Sequence, residues 1–352
     1  MKINNFNCCI LYILLIILFT VPVRAQDKQF AQADKNLIGS NVYVLSNRET
    51  VFQNNTKTTL NSVKKTNGLN FIRANSYSKD SLKIERIDSI DFLSEISLLE
   101  GNWVVFVHGD AKTLEKSIYR GLKIQHLYNV NVLIYSWPSS DPNLNGAKNF
   151  KRSQFHVSES LNHFVEVLEF AQLFREVSPT FLKKKMSLFF HSLGGLYLEK
   201  MVKSNLEIGF SDKLFDNIIL NATAVNQKNH KEWVEKLNIQ ERIFIISNKN
   251  DFNLKGVHLF TSNGKQLGEK ITPPFANNAV YMNFNKTIGF KFPTSNTHTY
   301  FIGEMTKRNL NLKIFYNCIL HGDNPDFSNE NVYRKLKKKN AFEIVQTKKT
   351  YL

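Results

Sequence analysis

Apolar residues in this chain fall into short continuous runs separated by helical stripes. Trp103-Val-Val-Phe-Val107 and Val130-Asn-Val-Leu-Ile-Tyr-Ser136 are too short for helices and rich in β-branched residues, so both predict buried strands. Between them Leu114, Ile118 and Leu122 share one helical face. After a loop reaching Gly146, the residues Val157, Leu161, Phe164, Val165, Leu168 and Ala171 predict one long amphipathic helix from Arg152 to Glu176. Leu188-Phe-Phe190 predicts the next buried strand, and Leu193, Leu196, Tyr197 and Met201 the helix that follows it. Three further strands are expected at Phe215–Ala222, Arg242–Ser247 and Ala279–Phe284, with a short helix within Lys228–Leu237. Strand and helix alternating at this spacing imply right-handed crossovers. The fold class is therefore α/β, a mostly parallel central sheet with helices on both faces.

Upstream, residues 26–98 are polar, with short apolar runs only. Asn41–Leu45 predicts a first strand and the alternation of Ser81–Ile87 an edge strand, while Asn54–Gly68 has loop composition. No chemistry is legible there. The first 25 residues combine a lone early lysine, an apolar run from Cys8 to Val23 and Val23-Arg24-Ala25, the pattern of a secretory signal peptide cleaved after Ala25. The run is shorter than the ~20 residues a membrane helix needs. The expected organisation is thus a signal peptide at 1–25, an N-terminal extension at 26–98 lending one or two strands to the sheet, an α/β core at 99–325 and a basic tail at 326–352. Export is the localisation this implies.

Cleavage would remove Cys8 and Cys9 and leave Cys318 alone, so no intrachain disulfide is expected. The formal charge is +16, or +14 without Lys2 and Arg24. Such a balance raises nucleic acid, anionic lipid or an acidic polymer as partners. The basic residues are scattered apart from Arg334 to Lys339, and zinc-ligand spacing, RNA-binding aromatic motifs and a helix-turn-helix pattern are missing. A solvated basic surface is the reading, with membrane-surface contact through the tail as a secondary one. Nothing in the chain calls for a cofactor or a metal, and oligomeric state is not legible.

Candidate chemistry gathers where strands end. Ser192 stands on a strand-to-helix turn that lifts a hydroxyl above the sheet edge, with Gly194 and Gly195 leaving room for close approach. The bland alternative is a helix-capping serine. His108-Gly109-Asp110 follows the buried strand ending at Val107, and Asp251 follows the strand ending at Ser247, the edge where an open parallel sheet builds its sites. Asp251 also suits a turn or a helix cap. His298 follows the last predicted strand, at the start of an expected helix towards Met305, with His321 and His258 as substitutes. His191 reads as structural, and Trp137 as core or pocket wall, where only its bulk would count. The stretch Phe252–Asn278 is long enough for a lid or hairpin.

Phe106-Val-His-Gly109, Tyr135-Ser-Trp-Pro-Ser139, His191-Ser-Leu-Gly194, and His298 followed by Tyr300-Phe301 together resemble the α/β-hydrolase superfamily, in its bacterial uncharacterised esterase- or lipase-like branch. Val42-Tyr-Val-Leu-Ser-Asn-Arg48 resembles the opening strand of the same group. The usual elbow is Gly-x-Ser-x-Gly, and here Phe190 takes the place of the first glycine. The resemblance implies an exported serine hydrolase acting on small or lipid-like carboxylic esters, with thioesters and amides open. Ser192 would be the nucleophile, His298 the base and Asp251 its partner. The backbone amides of Leu193 and Asp110 would form the oxyanion hole, with His108, Gly109 and Gly194 supporting the loops. A non-catalytic binding protein of the same fold is the alternative that Phe190 keeps open.

Overall fold

The computed structural model describes residues 37–50, 52–53, 56–57, 64–78, 81–177, 183–261, 264–289, 297–303, 306, 309–337 and 340–346. The expected signal peptide lies outside them. Five strands come first: β1 (Asn41–Arg48), β2 (Phe52–Gln53), β3 (Thr56–Lys57), β4 (Lys65–Ser78) and β5 (Ser81–Ile87). Helix α1 (Ser89–Ser97) leads to β6 (Trp103–Val107), α2 (Leu114–Tyr128) and β7 (Asn131–Ser136). Then come α3 (Gly146–Glu159), α4 (Leu161–Val177), β8 (Met186–His191), α5 (Gly195–Lys203) and β9 (Phe215–Asn221). The last part holds α6 (His230–Val234), β10 (Gln240–Ser247), α7 (Phe252–Phe260), β11 (Ala279–Asn283), α8 (Leu310–Leu320), β12 (Tyr333–Lys335) and β13 (Ala341–Ile344).

All these strands join one sheet in the order β12-β13-β11-β10-β9-β8-β6-β7-β1-β4-β5-β3-β2. From β13 to β1 every neighbour is parallel. The pairings of β1–β4, β4–β5, β3–β5, β2–β3 and β12–β13 are antiparallel. Helices α2 and α8 pack on one face; α3 and α4 meet α5 on the other. With both faces covered, β6 and β8 are buried at every residue, which is why they read as continuous apolar runs.

Three expectations need correction. The 26–98 segment does more than lend one or two strands: β1 joins the parallel sheet beside β7, and β4, β5, β3 and β2 extend it. The 326–352 segment is not a tail. Its strands β12 and β13 continue the sheet past β11, and Glu343 offsets Arg334 and Lys286 there. The long helix is two helices broken at Ser160, whose hydroxyl bonds the His156 carbonyl and, at 2.7 Å, the Tyr197 hydroxyl. A serine turned back onto the previous turn competes with the helical ladder, and here it breaks it.

Candidate active site

The turn at Ser192 is sharp. Between β8 and α5, residues 192–194 form one tight 3-10 turn, and Ser192 takes φ +55°, a left-handed conformation that a non-glycine residue adopts only when its surroundings enforce it. Two close approaches do so. A Cβ on Gly194 would lie 2.6 Å from the Val107 carbonyl oxygen, and one on Gly109 would lie 2.6 Å from the Ser192 Cβ. The Ser192 carbonyl accepts from the Ala224 N–H at 3.0 Å just beyond β9. Phe190 does not prevent this geometry. On the alternating strand its ring turns to α4, 5.8 Å from Phe164, while Phe189 and His191 turn to the other face.

Asp251 and His298 meet. The His298 Nδ1 and Asp251 Oδ2 are 2.6 Å apart, with Asp251 fully buried. The other carboxylate oxygen accepts from the Leu254 N–H at 3.1 Å, so Asp251 is also the cap of α7. The His298 segment is tied down where Asn248 Nδ2 donates to the Thr297 carbonyl at 3.1 Å. Residues 297–303 run through bends and turns, so the helix expected from His298 does not start there. The His298 ring lies 4.6 Å from that of His191, the residue before Ser192. The substitutes sit elsewhere. His321 bonds Asn102 and the Tyr128 carbonyl at the far end of β6, and His258 faces Glu269.

The loop 108–112 is held from three sides. His108 is buried and neutral: its Nδ1–H donates to the Gly109 carbonyl at 2.8 Å, and its Nε2 accepts from the Trp137 N–H at 3.2 Å. Desolvation, and then the charge of Arg48, holds its pKa well below the ordinary histidine range. The indole Nε1 of Trp137 donates to the His108 carbonyl at 3.0 Å, and the two rings stack at 5.4 Å. Trp137 therefore acts through its polar atoms as well as its bulk. Asp110 Oδ1 accepts from Asn149 Nδ2 at 2.7 Å and Ser153 Oγ at 2.6 Å, and burial pushes this carboxyl up to about 6. The same two donors reach the Ser139 carbonyl, which also accepts from the Ala111 N–H. Among the described residues, the N–H groups of Leu193 and Asp110 donate to no backbone carbonyl.

Sequence reasoning missed Arg48. From the end of β1 its buried guanidinium gives Nε to Ser136 Oγ at 2.9 Å and Nη2 to the Lys112 carbonyl at 2.7 Å, and Nη2 lies 3.5 Å from His108 Nε2. Desolvation lowers it to about 9. The only signal was the likeness of the 42–48 segment to an opening strand, which carried no chemistry. Asn221 was missed as well: it accepts from the Tyr316 hydroxyl at 2.5 Å and lies 3.5 Å from His191 Nδ1. Desolvation, then the charge of His298, keeps His191 well below the ordinary histidine range. No group of three metal-ligating side chains occurs among the described residues.

A parallel sheet with a serine elbow and a carboxylate–imidazole pair at its C-terminal edge defines an α/β hydrolase. The chain belongs to the family described as alpha/beta hydrolase of unknown function (DUF900), matched over residues 92–279. His108, Ser192 and Asp251 fall within the match; Arg48 and His298 fall outside it. Among solved structures, the chain is similar to the Pyrobaculum calidifontis esterase in its monoclinic form, at 12% identity and a TM-score of 0.41 over 87% of this chain and 97% of that one. It is also similar to the hyperthermophilic esterase from the archaeon Pyrobaculum calidifontis, at 12% identity and a TM-score of 0.42 over 91% and 98%. No curated protein matches the chain in sequence.

Proposed function

We propose that this chain is an exported serine hydrolase that cleaves carboxylic esters through an acyl-enzyme on Ser192. The reading rests on the 2.6 Å contact of His298 Nδ1 with Asp251, made by an imidazole that lies against the residue preceding a strained serine. A serine hydroxyl is a weak nucleophile at neutral pH and needs a base. With Nδ1–H committed to Asp251, the acceptor for the serine proton is His298 Nε2. It takes that proton as Ser192 Oγ attacks the carbonyl and returns it to the leaving alcohol. Asp251 fixes the tautomer and stabilises the imidazolium. The N–H groups of Leu193 and Asp110 receive the oxyanion, each worth about 3 kcal/mol in the transition state. Water then releases the acid by the same route. Small or lipid-like esters fit this chemistry, and nucleic acid has no part in it.

A fluorophosphonate tests the reading, because it reacts only with a serine activated in this way. The mature chain should label, and Ser192→Ala should lose both the label and hydrolysis of 4-nitrophenyl esters. Labelling that survives in the alanine variant, or a folded protein that never labels, defeats it.

A further inference from the structure

The mechanism above has no use for Arg120. This residue lies on the inward face of α2, is 4% exposed, and among the described residues its side chain makes one hydrogen bond, from Nη2 to Thr299 Oγ1 at 3.3 Å. Its Nε and Nη1 are buried without a partner among the described residues. Desolvation alone lowers it to about 9, with no carboxylate opposing the shift. Arg48 is the contrast, since its guanidinium is spent on Ser136 and Lys112. An unmatched buried charge is destabilising by several kcal/mol, so a fold that retains one has a reason in what it binds.

The position of Arg120 gives that reason. Thr299 follows His298, and the charge of Arg120 depresses both His108 and His191, which precede the 108–112 loop and Ser192. The guanidinium is thus hydrogen-bonded to the residue that follows His298. Lys112 acts on both histidines in the same sense. The carboxylates closest to this chemistry are already engaged: Asp110 by Asn149 and Ser153, Asp251 by His298 and the Leu254 N–H. The formal charge, +14 without Lys2 and Arg24, favours the approach of an anion over longer range.

Resting on the hydrolase reading, we propose that Arg120 receives a carboxylate on the acyl part of the substrate, so that the esters taken are monoesters of dicarboxylic acids. The leaving alcohol departs to solvent, whereas an enclosed guanidinium is met only by the part that stays behind as the acyl group. The N–H groups not taken by Thr299 supply charge-assisted donors to a carboxylate oxygen.

Kinetics on the full mature chain compare mono(4-nitrophenyl) adipate with 4-nitrophenyl hexanoate, an uncharged ester of equal acyl length. The kcat/KM ratio should favour the adipate ester by roughly ten- to a hundredfold. It should collapse towards parity in Arg120→Met and be partly kept in Arg120→Lys, which serves alone if the methionine variant does not fold. Parity in the unaltered protein overturns the proposal, as does a preference that survives loss of the guanidinium and the charge. A binding measurement separates this failure from failure of the hydrolase reading. Ser192→Ala should gain thermal stability with adipate but not with hexanamide, and should lose that gain when Arg120→Met is added. If neither ester is cleaved, the adipate shift alone decides: its presence upholds the anion site without the hydrolase, and its absence removes the site.

Discussion

At residue 251 two local roles coincide in one side chain. One oxygen of Asp251 caps α7 through the Leu254 N–H, and the other holds His298 Nδ1. Asparagine caps a helix about as well as aspartate but does not hold an imidazole in one tautomer or stabilise its charged form. Asp251→Asn should therefore change the unfolding free energy by no more than about 1 kcal/mol. It should lower kcat for a 4-nitrophenyl ester by about 10⁴-fold. Denaturant unfolding and steady-state kinetics on the same preparation check this, and a variant that keeps its turnover would leave the aspartate as a cap alone. Phe190 teaches a related lesson. The sequence shows that a bulky residue replaces the usual glycine, but not that strand alternation turns its ring to Phe164 and away from the serine turn.

Among elements, β1 matters most beyond the family match, because it delivers Arg48 to the back of the 108–112 loop. A guanidinium that fixes the Lys112 carbonyl and borders His108 sets where the Asp110 N–H points. Arg48→Met should lower kcat roughly tenfold or more while KM changes little, as expected when an interaction strengthens only in the transition state. Stability should fall by about 1–3 kcal/mol, since Ser136 and the Lys112 carbonyl lose a buried donor. A KM rise with kcat unchanged would contradict this. The legible elements were those buried on both faces, such as β6, β8, β9 and β10, whose apolar runs need no partner to be recognised. Strand β4 escaped because its fourteen residues, KTNGLNFIRANSYS, hold few apolar positions and owe their conformation to pairing with β1 and β5. The hairpin of β12 and β13 escaped because the lysines from Arg334 onward dominate its composition, while the buried Glu343 that offsets Arg334 lies nine residues away. In the candidate site, the meeting of Asp251 with His298 could be anticipated because each comes after a strand. Arg48, Asn149 and Ser153 could not, since their partners are chosen by tertiary contact.

On the scale of the whole molecule, buried titrating groups of opposite sense surround the site, and they give stability a definite pH dependence. His108 and His191 are held neutral, both well below 6.5. Unfolded histidines bind protons as the pH falls through the ordinary range and the folded ones do not, so their contribution is full above that range and is lost on acidification. Each removes up to about 1.4 kcal/mol per pH unit. Asp110 works the other way. Its folded carboxyl, raised from 3.8 to about 6, holds a proton that the unfolded chain has released, so it stabilises at low pH and loses that contribution as the pH rises through about 6. Two histidines against one carboxyl make the net change a loss on acidification, with Asp110 blunting it. Asp110→Asn keeps an acceptor for Asn149 and Ser153 and removes the titration. It should be more stable than the unaltered protein near neutral pH, by up to about 3 kcal/mol, and this advantage should shrink towards nothing near pH 4. Urea unfolding of both proteins at several pH values reads the difference directly. A gap that stays constant with pH would mean that Asp110 does not titrate above the ordinary carboxyl range, and that the loop bearing its amide is held by a carboxylate charged throughout.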